Sequence, residues 1–415
     1  MVKYMIVYEF KAVVNKQQTA AIDEAIRTTQ FIRNKCLRFW MDNQGVKPYD
    51  LNKYTAVLAN EFDFADKLNS MARQAAAERV AFAIKRFFDN CKAKIPGKKG
   101  YPQFQKNNRS VEYKTSGWKL SEDRKYITFT DKCNIGKVKL KGTYDLHFYA
   151  SSAEELFPRR HAHQYAQIKR VRIVRRSNGY YIQFCIDAER NIDLQPTGNT
   201  IGIDVGLNYF YTDNEGNQVE NPRYLRKSEK ALKRLQRRVS KKQKGSNNRS
   251  YAIKRLGRKH LKVSRQRKDF AVKLARYVVM SNDFVAYEDL KVRNMVCNSR
   301  LAKSINDASW SLFTSWLNYF SLVFGKVVVA VPPNYTSQNC SSCGEVVKKS
   351  LSVRTHICKC GCILDRDENA ARNILAKGSK VTGYLTNTAG SAEINALGQN
   401  NLCLVSESLQ DKLAG

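Results

Sequence analysis

The chain lacks any apolar run approaching the roughly 18 to 20 residues of a membrane-spanning helix, and its opening lacks the basic, apolar and cleavage regions of a signal peptide. Both absences lead to the expectation of a soluble, intracellular protein. Acid is scarce as well. Only 37 Asp plus Glu stand against 72 Lys plus Arg, a net charge of +35 with a pI of about 9.8. That imbalance lies far outside the range of a metabolic enzyme and matches the footprint of nucleic-acid binding, with no membrane and no small-molecule substrate expected. At 415 residues and 43% hydrophobic content, two to four globular domains are expected.

Cysteine is thinly spread except in one place. Six of the eleven (Cys36, Cys91, Cys133, Cys185, Cys297 and Cys403) are scattered, and five fall within 23 residues. Clustering of this kind points to metal binding in a reducing compartment rather than to a disulfide framework. Cys340-x2-Cys343, a gap of fourteen residues, then Cys358 followed by Cys360 or Cys362, has the form of a zinc ribbon with Gly344 and Gly361 after the knuckles. Four thiolates leave no open coordination position, so the ion would be structural. Cys358-x-Cys360 is shorter than the usual Cys-x2-Cys; Cys360 is taken as the fourth ligand, with Cys362 as the alternative.

Along the chain, Val2 to Val14 alternates loosely and predicts one or two strands. Helical spacing begins at Lys16 and recurs over Tyr54 to Phe62 and Ser70 to Phe88. After Pro96-Gly97, strand-like runs follow at Tyr126 to Thr130, Lys137 to Leu140, Ile168 to Arg175 and Tyr180 to Ile186. Beyond Gln195-Pro196-Thr197-Gly198, a buried strand (Thr200 to Gly206) and a hairpin turning at Asn214 to Asn217 are predicted. Arg223 to Lys268 then holds twenty Lys or Arg and one acid, Glu229, more than half of the net charge. Leu225, Leu232, Leu235 and Val239 mark one helix of a basic hairpin, and Ile253, Leu256 and Val263 the other. Twenty like charges would repel one another unless a polyanion neutralised them, so nucleic-acid contact is favoured over a solvated face. The strand Phe284 to Tyr287, a helix from Trp310 to Phe324 and the strand Lys326 to Val331 complete a mixed α/β order.

Three carboxylates stand out. Asp204 follows Ile201-Gly202-Ile203 at a strand end, Glu288 ends the next apolar strand, and Asp367 lies in the first turn of a helix that Asp365 can cap, with Glu368 completing a capping-box-like pair. Each alone could be a turn former, a solvated acid or a cap. Brought together, they would repel one another unless a divalent ion neutralised them, as Mg²⁺ or Mn²⁺ does. Two such ions serve phosphodiester hydrolysis without a covalent intermediate, so the three acids in so basic a chain suggest a metal-dependent nuclease.

Gly202-Ile203-Asp204-Val205-Gly206, Tyr287-Glu288-Asp289-Leu290-Lys291, Asn306-Asp307-Ala308-Ser309-Trp310, the ribbon and Asp365-Arg366-Asp367-Glu368-Asn369-Ala370-Ala371-Arg372-Asn373-Ile374 resemble, in order and spacing, the TnpB family of transposon-encoded RNA-guided DNA endonucleases, relatives of the compact type V CRISPR effectors. The resemblance runs over about residues 1 to 378, Gly97 to Lys106 matching that family's basic Gly-Phe-Pro-x-Phe junction. It implies a multidomain α/β plus α+β fold. A wedge-like β module (1–15 and 96–195) would carry an inserted helical recognition block (16–95). A RuvC-like RNase H domain (196–331 and 364–378) would be split by the zinc ribbon (332–363), and a flexible tail (379–415) would follow. Asp204, Glu288 and Asp367 would bind two catalytic Mg²⁺ or Mn²⁺ ions, and the ribbon a structural Zn²⁺. The partners would be a guide RNA and a double-stranded target read beside a short adjacent motif. Gln74 is expected near that motif. Lys98, Lys99, Arg234, Arg237, Arg238, Lys241, Lys242, Arg255 and Arg258 are expected on nucleic acid, in the cytoplasm of a prokaryote. A guide-dependent DNA-binding repressor and a DNA transposase of RNase H fold are the alternatives; the first would be favoured by loss of an acid, and none is lost.

Overall fold

The computed structural model describes residues 4–147, 167–188, 192–350 and 353–383. Two compact units divide the chain, Met1–Glu189 and Arg190–Gly415. Among the described residues no helix is long and apolar enough to cross a membrane.

In the first unit, β1 (Tyr4–Val13) precedes four helices, α1 (Lys16–Asp42), α2 (Pro48–Glu61), α3 (Asp63–Asp66) and α4 (Ser70–Lys92). Six strands follow, β2 (Ser110–Tyr113), β3 (Trp118–Leu120), β4 (Tyr126–Phe129), β5 (Gly136–Lys141), β6 (Gln167–Arg176) and β7 (Gly179–Ala188). Together they form an antiparallel sheet in the order β2-β6-β7-β1-β5-β4-β3. A reciprocal cap starts α1: the Asn15 side chain accepts from the Gln18 N–H at 2.8 Å while the Gln18 side chain accepts from the Asn15 N–H at 3.1 Å. Helix α4 turns Ala72, Ala75, Ala76, Ala77 and Val80 inward, small side chains that let it lie close to its neighbours. Sheet and helices share one core, in which Ile22, Ile26 and Leu58 cluster with Ile127 and Phe184. Strands β2 and β3 escape the sequence pattern because they are short and β2 turns a charged residue, Glu112, inward.

The second unit is built on β8 (Thr200–Val205), β9 (Tyr209–Asp213) and β10 (Gln218–Glu220), an antiparallel meander. Its turn forms where predicted: Asp213 Oδ1 accepts from the Glu215 and Asn217 N–H groups, each at 2.9 Å. Helices α5 (Tyr224–Ser240) and α6 (Asn247–Ser281) lead to β11 (Phe284–Glu288). Then come α7 (Val292–Met295), α8 (Ser299–Ala308), α9 (Trp310–Phe324) and β12 (Val327–Val331). The sheet order is β10-β9-β8-β11-β12, with β11 parallel to both β8 and β12. Helix α6 continues past the basic block, its last turns burying Ala271, Ala275, Val278 and Val279. Asp307 fixes the hairpin's base, accepting from the Leu225 and Arg226 N–H groups and from Arg267 Nε at 2.8, 3.1 and 3.2 Å.

A small hairpin, β13 (Thr355–Ile357) with β14 (Ile363–Asp365), precedes α10 (Arg366–Thr382). This helix crosses the sheet directly over β8. Gly202 makes the crossing possible, since a Cβ there would stand 2.2 Å from the Ala371 carbonyl oxygen. Helix α10 runs past residue 378, where the tail was expected to begin, and 384–415 lie outside the described residues.

Candidate active site and metal centre

Parallel pairing sets Tyr287 beside Ile203, so Asp204 and Glu288 emerge at the same end of adjacent strands. Asp367 reaches them from the first turn of α10. Asp365 caps that helix, accepting from the Asp367 N–H at 2.8 Å and the Glu368 N–H at 3.4 Å. Glu368 does not complete the expected capping box; it pairs with Arg372 at 2.7 Å, one turn along.

The electrostatics agree with this placement. Desolvation raises the Asp204 carboxyl well above its ordinary range, and the charges of Glu288 and Asp367 raise it further, with Arg366 opposing. Burial also raises Glu288, against a hydrogen bond from Thr336 and the charge of Lys377. Asp367 receives Arg354 Nη1 at 3.2 Å and Arg366 Nε at 3.6 Å. Hard oxygen donors around a strongly negative point suit Mg²⁺ or Mn²⁺, which keep several waters beside one or two carboxylates. The carboxylates do not close to the mutual 4.8 Å spacing that the cysteine sulfurs reach.

The ribbon gathers Cys340, Cys343, Cys358 and Cys360, their sulfurs all within 4.8 Å of one another. Both knuckles close alike: Gly344 N–H donates to the Cys340 carbonyl at 2.9 Å, and Gly361 N–H to the Cys358 carbonyl at 3.0 Å. Sulfur separations are 3.7 Å for Cys340 and Cys360 and 3.6 Å for Cys343 and Cys358. A tetrahedron with metal–sulfur bonds of about 2.3 Å has edges of roughly 3.8 Å, which these two separations match, so the thiol set fits Zn²⁺. Cys362 stays outside the group and contributes its backbone carbonyl to the Cys358 N–H at 2.9 Å. Although desolvation opposes it, the Cys343 and Ser342 N–H groups and His356 hold the Cys340 thiol down at about 5.

The expected nucleic-acid residues are distributed over both units. Arg234, Arg237, Arg238, Lys241, Lys242, Arg255 and Arg258 are all exposed on α5, α6 and their connection. Leu235, Arg238, Lys241, Lys242, Tyr251 and Arg255 line a cleft there, with Tyr251 61% exposed. In the first unit Lys98 is exposed, whereas Lys99 closes its own turn on the Ile95 carbonyl. Gln74 accepts from Lys114 Nζ at 3.2 Å, and Lys114 also pairs with Glu78.

Sequence reasoning missed Thr336, and quoted Asn369 and Asn373 in the last motif without a role; the three hold backbone and carboxylate around the site. The two asparagines lie four residues apart on α10 and therefore on one face, a spacing that could have revealed them.

Residues 183–299 match the family OrfB_IS605, described as "Probable transposase", and 310–374 match the "Cas12f1-like, TNB domain". A Streptomyces pristinaespiralis protein named "Putative RNA-guided DNA endonuclease" is 29% identical over 382 residues, 89% of each chain. "Putative RNA-guided DNA endonuclease InsQ" of Escherichia coli K12 is 33% identical over 231 residues, 52% of this chain and 58% of that one. The Cas12f1 chain of a solved Cas12f1-sgRNA-target DNA complex shares the fold, with a TM-score of 0.50 at 14% identity over 86% of this chain and 82% of that one.

Proposed function

We propose that this chain, which carries the OrfB_IS605 and Cas12f1-like TNB domains and belongs with the TnpB proteins, is an RNA-guided DNA endonuclease that hydrolyses phosphodiesters with divalent metal. The observation that carries the proposal is geometric: Asp204 and Glu288 stand at the same end of paired parallel strands, and Asp367 lies in the first turn of the helix that crosses β8. The strand order, an antiparallel meander continued by two parallel strands and crossed by α10, supports a RuvC-like RNase H domain. Asp204, Glu288 and Asp367 would hold two Mg²⁺ or Mn²⁺ ions, which when bound activate water and stabilise the leaving 3′ oxygen. The chain's own part is to keep three acids at one strand end and to place cationic side chains around them. Zn²⁺ on Cys340, Cys343, Cys358 and Cys360 would be structural, since no coordination position stays open. The exposed cations of α5 and α6 would grip guide RNA and target DNA by their phosphates. Gln74, Lys98 and Lys99 would contact nucleic acid in the first unit, Gln74 near the target-adjacent motif, and base pairing would select the target.

The description "Probable transposase" favours a second reading, a transposase that joins DNA ends without a guide. One experiment separates the two. The protein is purified with its native flanking DNA transcribed, copurifying RNA is sequenced, and the complex is given Mg²⁺ and a plasmid library with a matched target beside randomised flanks. Guide-dependent cuts beside one enriched flank are the expected result. Strand transfer without RNA would support the transposase, and RNA-dependent target binding without cuts would support a repressor.

A further inference from the structure

Glu288 is joined to the ribbon by a continuous set of hydrogen bonds. Thr336, 3% exposed, directs its hydroxyl at Glu288 Oε1. The Thr336 carbonyl accepts from Asn373 Nδ2 at 2.8 Å, and the same amide donates to the Asn339 carbonyl at 2.7 Å. Asn369, fully buried, donates to the Asn339 carbonyl at 2.8 Å and accepts from the Ser341 N–H at 2.9 Å. Ser341 directly follows Cys340, the buried first sulfur of the thiol cluster. The segment from Thr336 to Ser341 is therefore fixed at one end by the cluster and along its length by α10, the helix that carries Asp367.

We infer that Thr336 is a positioning residue for Glu288, and that the ribbon braces the catalytic carboxylates through Thr336, Asn369 and Asn373. The inference rests on the nuclease reading above. A hydroxyl donating to one carboxylate oxygen restrains the rotamer and would leave the other oxygen available to a cation, as partners behind metal ligands do elsewhere. Removing the donor frees the carboxylate to turn, while the buried amides of Asn369 and Asn373 would still hold the segment in place. Without the sulfur cluster the segment loses its anchor at the Cys340 end.

The test is Mn²⁺ affinity of the guide-free protein, read from free Mn²⁺ by electron paramagnetic resonance. Thr336→Val should weaken binding by about tenfold, at the lower end of the range for lost outer partners. Thr336→Ser should restore it, which a purely structural role for the side chain would not require. Should Thr336→Val fail to fold, Thr336→Ala is titrated in its place. Wild-type affinity in Thr336→Val or Thr336→Ala, with Asp204→Ala defective, would overturn the inference alone. Wild-type affinity in Asp204→Ala would overturn the site itself.

Discussion

Glu112 in the first unit and Asp204 in the second are both acids drawn into the protein, and their surroundings treat them in opposite ways. Glu112 is 4% exposed and meets Arg79, Arg170 and Arg172 at 3.0, 2.9 and 2.7 Å. Burial would raise its carboxyl, yet the three arginines hold it well below the usual range. Asp204 faces two further acids, and its carboxyl is driven up. The chain has 35 more positive than negative side chains, so a shortage of cations does not explain the difference. One acid is neutralised by the fold and serves stability. The other faces like charges, with Arg366 opposing them only in part, as the proposed cation site would require.

The largest effect should come from the unneutralised acid. Asp204→Ala is expected to lower guided cleavage by more than about a hundredfold, the scale of losing one preorganised charge-stabilising group, with guide and target binding unchanged in a filter-binding assay. Retained cleavage would place the active site elsewhere. Glu112→Gln should cost about 3 kcal/mol in denaturant unfolding of the first unit, because it leaves a buried charge cluster uncompensated. A carboxyl depressed by folding stabilises above its unfolded pKa of about 4.3, and that contribution fades as pH falls toward the folded value. The gap between wild type and Glu112→Gln should therefore be full at pH 7 and shrink below about pH 4. A gap that widened on acidification would reverse the assigned sign.

Gly202→Ala sharpens the comparison from the side of packing. The added methyl meets the Ala371 carbonyl oxygen, so α10 must move and carry Asp367 away from Asp204. We expect about 1 to 3 kcal/mol of destabilisation together with loss of cleavage; full activity would mean that α10 tolerates displacement. The smallest effect belongs to the exposed hairpin. Replacing Arg234, Arg237, Arg238, Lys241 and Lys242 by Gln should flatten the salt dependence of binding by up to about 0.7 to 0.9 per lost phosphate contact. An unchanged slope would make this a solvated face.

The strand-end placement of Asp204 and Glu288 and the cysteine grouping were legible in the sequence because each sits beside strong local punctuation: a glycine turn after Asp204, an apolar strand before Glu288, knuckle glycines after the cysteines. The fourth sulfur was legible only as a preference for Cys360 with Cys362 as its alternative; the structure groups Cys360, a choice that depends on how the β13–β14 hairpin closes. Helix α6 outran its predicted end because the basic block stops at Lys268 while the apolar spacing continues to Val279. Thr336 was invisible for a different reason. Its importance comes from a partner 48 residues away, and no local pattern encodes a contact of that range.

Hydrogen–deuterium exchange of the guide-free protein with and without Mn²⁺ sets the two acids side by side in one sample. Exchange should slow over residues 200–205, 284–288 and 366–372, stay unchanged over β2, β6 and β7 around Glu112, and lose its Mn²⁺ response in Asp204→Asn. Equal slowing in both units, or none near Asp204, would contradict the assignment of Asp204, Glu288 and Asp367 as the place where the chain takes its cation.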